Sequence, residues 1–267
     1  MFASPWIAAL VALFAWWFST GVILVIVRRA DRANTPLWAV VGMLPLMALG
    51  VVGAWVSMSD AGVAATYIGF FSALAIWGWI ELAFLAGVIT GPNRSHARAG
   101  VPEWERFIRA WGTVAYHEMT LTAAVIALAI ASHGAVNRFA LWTFAVLYAA
   151  RISAKLNLYL GVRKVNTEFL PKALDHLPSH FREARINWLF PTSVTLLSFA
   201  IACWLERAAF ADTPAEAVGF ALLAALTALA LLEHWFMVMR LPDEKLWRWM
   251  LPDKHEILLE EGPDAVR

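Results

Sequence analysis

Long apolar runs and short polar breaks alternate along the chain, and the apolar run recurs seven times. Each run is close to the roughly 20 residues that an α-helix needs to cross a hydrocarbon core. The runs lie at Pro5–Val27, Leu37–Ser57, Ala61–Thr90, Trp111–Ser132, Phe139–Leu160, Trp188–Leu205 and Ala215–Met239. Apolarity within each is continuous. Strands of a membrane barrel alternate in character and are about half as long, so the pattern predicts helices. The expected fold is all-α, a polytopic transmembrane bundle of seven spans forming one domain over residues 1–240, followed by a polar tail at 241–267.

The polar breaks differ in charge, and the difference orients the bundle. Arg28, Arg29 and Arg32 follow the first run, and Arg94, Arg98, Arg106 and Arg109 follow the third. Arg163, Lys164, Lys172, Arg182 and Arg185 follow the fifth, and Arg240, Lys245, Arg248, Lys254 and Arg267 follow the seventh. The alternate breaks hold only Arg138 and Arg207. Cytoplasmic segments carry the excess of Lys and Arg, so the N-terminus is expected to be periplasmic and the C-terminus cytoplasmic. The first run lacks a basic leader, is long enough to span and ends in Arg28-Arg29, so it is expected to stay as a span rather than be cleaved.

Two long inner connections, 91–110 and 161–187, read as amphipathic cytoplasmic loops. One carries Glu103–Arg109. In the other, Leu170, Leu174 and Leu177 recur at helical spacing, and Ser179 follows Pro178 as a cap for a second short helix. Both segments are expected in the headgroup plane, as is Lys245-Leu246-Trp247-Arg248-Trp249-Met250-Leu251.

Composition adds exclusions. The chain is 61% hydrophobic and 15% charged, far from the roughly half and quarter of a soluble domain. A net charge of +1 without a basic tract predicts no nucleic-acid partner. The one cysteine, Cys203, excludes an internal disulfide and a cysteine-based zinc finger. Most of the 15 tryptophans fall near predicted span ends, as an aromatic belt requires, whereas Trp77 and Trp79 sit deeper beside Glu81.

Charge inside the spans changes the picture most. Arg151 and Lys155 lie within the fifth run, at a depth where a charge is costly and normally faces a partner or a wet cavity. Helical spacing places Phe144, Tyr148, Arg151, Lys155 and Tyr159 on one face, with Ser153 and Asn157 to one side. The third run offers Glu81, the fourth His117 and Glu118, and the seventh Glu233 and His234. The expectation is a buried polar network of Glu81, His117, Glu118, Arg151, Lys155, Asn157, Glu233 and His234, in which the two cations pair with some of the three glutamates. Two sharper uses compete with it. Glu81, His117, Glu118, Glu233 and His234 are suitable ligand types for a transition metal such as iron, manganese or zinc. His117 and His234 are candidate ligands for the magnesium of a chlorin pigment, bacteriochlorophyll among them.

The resemblance to a known family rests on specific segments. They are Gly21-Val22-Ile23-Leu24, Glu81-Leu82-Ala83-Phe84-Leu85 leading to Thr90-Gly91-Pro92, and His117-Glu118. Then come Ala150-Arg151-Ile152-Ser153-Ala154-Lys155-Leu156-Asn157-Leu158-Tyr159-Leu160-Gly161, Glu168-Phe169-Leu170-Pro171 and Asn187-Trp188-Leu189-Phe190-Pro191. With these the chain resembles the PuhE family, photosynthetic complex assembly protein 2 of anoxygenic phototrophic bacteria. The resemblance implies a multi-pass protein of the bacterial inner membrane that assists assembly of the reaction centre and its core light-harvesting antenna. It further implies a link to bacteriochlorophyll supply, with the reaction-centre and antenna subunits and the lipid bilayer as partners. No catalytic residues come with it. The favoured reading is therefore an assembly factor rather than an enzyme. The alternative is an intramembrane metal-dependent enzyme acting on a pigment, carotenoid or quinone precursor.

Overall fold

The computed structural model describes residues 2–165 and 170–239. Among them run α1 (Pro5–Ala33), α2 (Pro36–Gly42), α3 (Leu44–Ser57), α4 (Val63–Leu85), α5 (Glu103–Ala131), α6 (Phe139–Leu160), α7 (Leu189–Ala209) and α8 (Pro214–Phe236). Counting α2 and α3 as one length, seven helices are long and apolar enough to cross a membrane. All seven predicted runs are therefore present, and the differences lie in how they begin, break and end.

The second run is interrupted at Met43. Pro45, in the first turn of α3, has no backbone N–H to donate, and its ring would crowd the carbonyl of Val41 in a continuous helix. The Trp79 indole donates to the Val40 carbonyl at 3.0 Å, which helps to satisfy the broken turn. The third run stops at Leu85, short of Thr90, because Gly87 takes a left-handed φ of 74° that turns the chain away.

Two expectations about the loops are corrected. Glu103–Arg109 is not a segment separate from the following span. It is the first part of α5, braced by the pairs Arg106–Glu103 (3.0 Å) and Arg109–Glu105 (2.6 Å). The segment from Leu170 forms two 3-10 turns, Lys172–Leu174 and Leu177–His180, rather than an α-helix. Leu174 and Leu177 pack on Phe84, with Leu170, Leu85 and Val114 around them, so the leucine stripe faces the protein. Gly87 makes this possible, since a Cβ there would lie 2.5 Å from Ala173 Cβ. Arg240, Lys245–Leu251 and the tail 241–267 lie outside the described residues, as do Glu168 and Phe169.

Burial divides the helices. The most apolar stretches of α4 and α8 are 61% and 56% buried, against 11–22% in the other spans. Helices α4, α6 and α8 pack on one another, α1 lies against α4 and α8, α3 against α4, α5 against α6, and α7 against α8. Ala8, Ala12 and Ala15 bring α1 close to Phe70, Leu222 and Leu226. The long connections 86–102 and 161–188 share one end of the bundle, and the first residues of α1 lie at the other. The candidate site lies towards the loop-rich end.

Candidate functional site: the polar core around helix 6

Between Arg151 and Asn157, α6 carries a polar side chain at every second position. At 3.6 residues per turn, residues 151 and 155 fall on one face and residues 153 and 157 on another. Each of the four reaches a different helix. Arg151 Nη2 donates to Glu81 Oε2 of α4 at 2.7 Å. Lys155 Nζ donates to Glu118 Oε1 of α5 and to His117 Nδ1 at 2.9 Å. The Ser153 hydroxyl lies 2.8 Å from His234 Nε2 of α8. Asn157 Nδ2 donates to Ser193 Oγ of α7 and to the Ser153 carbonyl, both at 2.9 Å.

On the charged face, His117 sits between the two carboxylates. Because Lys155 donates to Nδ1, the ring hydrogen resides on Nε2, which faces Glu81 Oε1 across 3.6 Å. Neither of those two atoms has a hydrogen-bond partner. The imidazole is fully buried and lies against the Phe84 ring, centroids 4.3 Å apart. The ammonium of Lys155 stands 5.0 Å over the same ring. Arg151, Glu81, His117, Glu118 and Lys155 thus form one chain of contacts whose two cations and two carboxylates balance. Towards the other end of α6, the Tyr148 hydroxyl bonds Thr122 at 2.8 Å and Trp77 packs edge-on to Phe144.

A backbone device holds this face in place. The stretch 90–93 lies along α5: the His117 N–H donates to the Thr90 carbonyl and the Asn93 N–H to the Gly112 carbonyl, each at 3.0 Å. Asn93 Nδ2 adds a bond to the Arg109 carbonyl at 2.9 Å. A Cβ on residue 91 would lie 2.1 Å from the Gly112 oxygen, so only glycine allows the approach. The signal in the sequence is Gly91-Pro92 following a span, together with a glycine inside the next span; neither names the other as its partner.

The neutral face is anchored from the loop-rich end. Asn187 donates to the carbonyls of Asn157 (3.2 Å) and Gly161 (2.7 Å), while its Oδ1 accepts from the N–H groups of Leu189 and Phe190, capping α7. Outside the spans, His176 is buried beneath the 3-10 turns, and burial pushes its imidazole below the ordinary histidine value against the opposing pull of Asp175.

Over residues 2–257 the chain matches the family described as "Protein of unknown function (DUF3623)". The chain belongs to the DUF3623 family. A relative from Rhodobacter capsulatus, named "Uncharacterized 30.4 kDa protein in puhA 5'region", is 52% identical over 268 residues, covering 98% of either chain. No solved structure matches.

In this DUF3623 chain, five of the eight predicted network residues converge: Glu81, His117, Glu118, Arg151 and Lys155. Asn157 and His234 belong to the other face of α6. Glu233 stands apart, exposed to a cavity, with no hydrogen bond or ion pair among the described residues. The five candidate metal ligands, Glu81, His117, Glu118, Glu233 and His234, do not converge. Among the described residues no group of three or more His, Cys, Asp and Glu side chains is arranged to hold a metal ion. Glu81 and Glu118 approach His117 from opposite nitrogens of its ring, which separates rather than gathers the donors. The pigment reading meets a similar obstacle. His234 Nδ1 must donate to the Ala230 carbonyl at 2.8 Å, so Nε2 accepts from Ser153 and no ring nitrogen is left for magnesium. His117 is closed in by Phe84, Lys155 and the two carboxylates. What the arrangement does chemically is to neutralise charge at membrane depth and fix four helices on α6.

Proposed function

We propose that this chain is an integral-membrane assembly factor for the photosynthetic reaction centre and its core light-harvesting complex, acting in the bacterial inner membrane and linked to bacteriochlorophyll supply. The observation that carries the proposal is the relative at 52% identity, whose name places it in the 5′ region of puhA, a photosynthetic reaction-centre gene. The resemblance of the 150–161 segment to the PuhE family points the same way. The orientation that goes with it has the N-terminus periplasmic and the long, basic connections in the cytoplasm.

The physical character of the chain supports a scaffold. Its strongest cluster of ionisable groups is spent on internal pairing, and its outer helices present wide apolar faces. On α7, only 11% of the apolar stretch is buried, leaving Leu196, Phe199 and Leu205 facing outward. Such a face suits either lipid or the spans of a nascent reaction-centre or antenna subunit.

The test is deletion of the gene in a phototrophic host, followed by near-infrared absorbance of the assembled complexes and analysis of extractable pigments. The expected result is a lower yield of assembled complexes, restored by the intact gene, without build-up of a defined chemical precursor. Accumulation of one pigment, carotenoid or quinone precursor would instead establish a catalytic role.

A further inference from the structure

Helices α1 and α6 both pack against α4 and α8 but scarcely against each other. Between them lies a cavity of about 240 Å³, which the balanced ion pairs do not fill. Trp16 of α1 and Trp77 of α4 line it together with aliphatic side chains, and polar groups enter from Ser19 and Thr20 of α1, Glu81 of α4, Arg151 of α6 and Glu233 of α8. Two of those polar groups have unmet bonding capacity. Arg151 reaches Glu81 through Nη2, and its side chain is 35% exposed, so part of the guanidinium stays open to the cavity it lines. Among the described residues Glu233 has neither a hydrogen bond nor an ion pair, and it is not within pairing distance of Arg151.

We propose that this cavity is a binding site for a neutral, lipid-soluble ring bearing a hydroxyl group, held between Arg151 and Glu233. Charge disfavours an anion, since Glu81 already cancels the guanidinium and Glu233 adds a further carboxyl, and a cation would have to give up its hydration at membrane depth. Unmet hydrogen bonding selects the hydroxyl, which accepts from the open part of the Arg151 guanidinium and donates to the Glu233 carboxyl. The flanking indoles favour a flat ring over an aliphatic chain. Size selects one or two rings, since the volume lies below the roughly 300–1,000 Å³ of pockets for larger ligands. A tetrapyrrole macrocycle is too large for it. The site is independent of the proposed assembly role and stands or falls separately.

The experiment uses the full chain in lipid nanodiscs and measures saturable binding of 2-naphthol by calorimetry. Two comparison probes are 2-methoxynaphthalene, which lacks the donor, and benzyltrimethylammonium, which replaces it with a positive charge. We expect 2-naphthol to bind with one-to-one stoichiometry and both comparison probes to bind at least tenfold more weakly. Glu233→Leu should weaken 2-naphthol tenfold or more at a nearly unchanged melting temperature, because Glu233 makes no hydrogen bond or ion pair among the described residues. Ala154→Leu, which fills the cavity from α6, should abolish binding; Gly78→Leu fills it from α4 and serves if the first variant does not fold. Equal affinity of the wild type and Glu233→Leu would overturn the proposal. So would tighter binding of the ammonium probe, or the absence of saturable 2-naphthol binding, which would leave a hydrated cavity only.

Discussion

The two faces of α6 do the same job by different means. Towards α4 and α5, Arg151 and Lys155 use full charges on Glu81, Glu118 and His117. Towards α8 and α7, Ser153 and Asn157 use neutral hydrogen bonds to His234 and Ser193. Both faces tie a helix to two neighbours, yet they fail differently. Removing one member of a buried ion pair strands a charge at membrane depth, whereas removing a neutral donor leaves a polar group that is cheaper to bury. The charged face therefore specifies helix arrangement more stringently, and the neutral face adds attachment at lower risk.

The largest effect is expected from Lys155→Leu. It strands Glu118, whose side chain is 14% exposed, and removes the donor to His117. The expected loss is about 3–5 kcal/mol, measured by reversible unfolding in mixed micelles. Glu81→Leu should cost less, since the stranded Arg151 side chain is 35% exposed and can be hydrated in the cavity. The double variant Lys155→Leu with Glu118→Leu should recover most of the loss, because a neutral pair strands nothing. If the double variant is as unstable as the sum of the singles, the charges do not act as a pair and the contrast between the faces collapses.

Next in size is Gly91→Ala. Its new methyl group would meet the Gly112 carbonyl at 2.1 Å, so the 90–93 stretch must lift from α5. A cost of about 1–3 kcal/mol is expected for such overpacking. The sharper expectation concerns coupling: the loop holds the His117 backbone, so Gly91→Ala and Lys155→Leu should be less than additive. Gly91→Ala and Asn157→Ala, on opposite faces, should add. Full additivity in the first pair would show that the loop does not position the charged face.

How much of this was legible beforehand follows from the reach of each signal. Hydrophobic period exposed the seven spans, and 3.6-residue spacing exposed the face bearing Phe144, Tyr148, Arg151 and Lys155, which meets α4 and α5. The same spacing set Ser153 and Asn157 to one side, but nothing local says that α7 and α8 stand there. Glu233 shows the limit clearly. It neighbours His234 in sequence, yet one step of 100° sends it into the cavity while His234 turns towards Ser153. The close approach of Gly91 to Gly112 and the inward turn of Leu174 and Leu177 are tertiary contacts of the same kind. In each, two separately unremarkable stretches acquire meaning only from one another.

On the neutral face the expected losses are smaller. Asn157→Ala removes the donor to Ser193 and to the Ser153 carbonyl and should cost about 1–3 kcal/mol. Ser153→Ala should cost less, since His234 keeps its bond to the Ala230 carbonyl. Either loss matching that of Lys155→Leu in the same assay would erase the distinction between the faces.

The smallest effect comes from the cap that closes the charged face at the loop-rich end. His176 is buried there beside Asp175, whose carboxylate is 3.8 Å from Nδ1, with His180, His96 and Arg94 also in its field. Burial outweighs the Asp175 carboxylate and lowers the imidazole below its ordinary value of 6.5. The folded chain therefore resists a proton that the unfolded chain accepts. Stability from this group is full above the ordinary value and is lost as pH falls through 6.5 towards the lower folded value. Melting temperatures at pH 7.5 and 5.5 should show a decline in the wild type that is smaller in His176→Phe. The unfolding cost of Lys155→Leu should be unchanged by that substitution, because the cap touches the charged face through the apolar contact of Leu174 and Leu177 with Phe84 and not, among the described residues, through an ion pair to Glu81, Glu118, Arg151 or Lys155. If His176→Phe instead reduced the cost of Lys155→Leu, the cap would be part of the charged face rather than its cover.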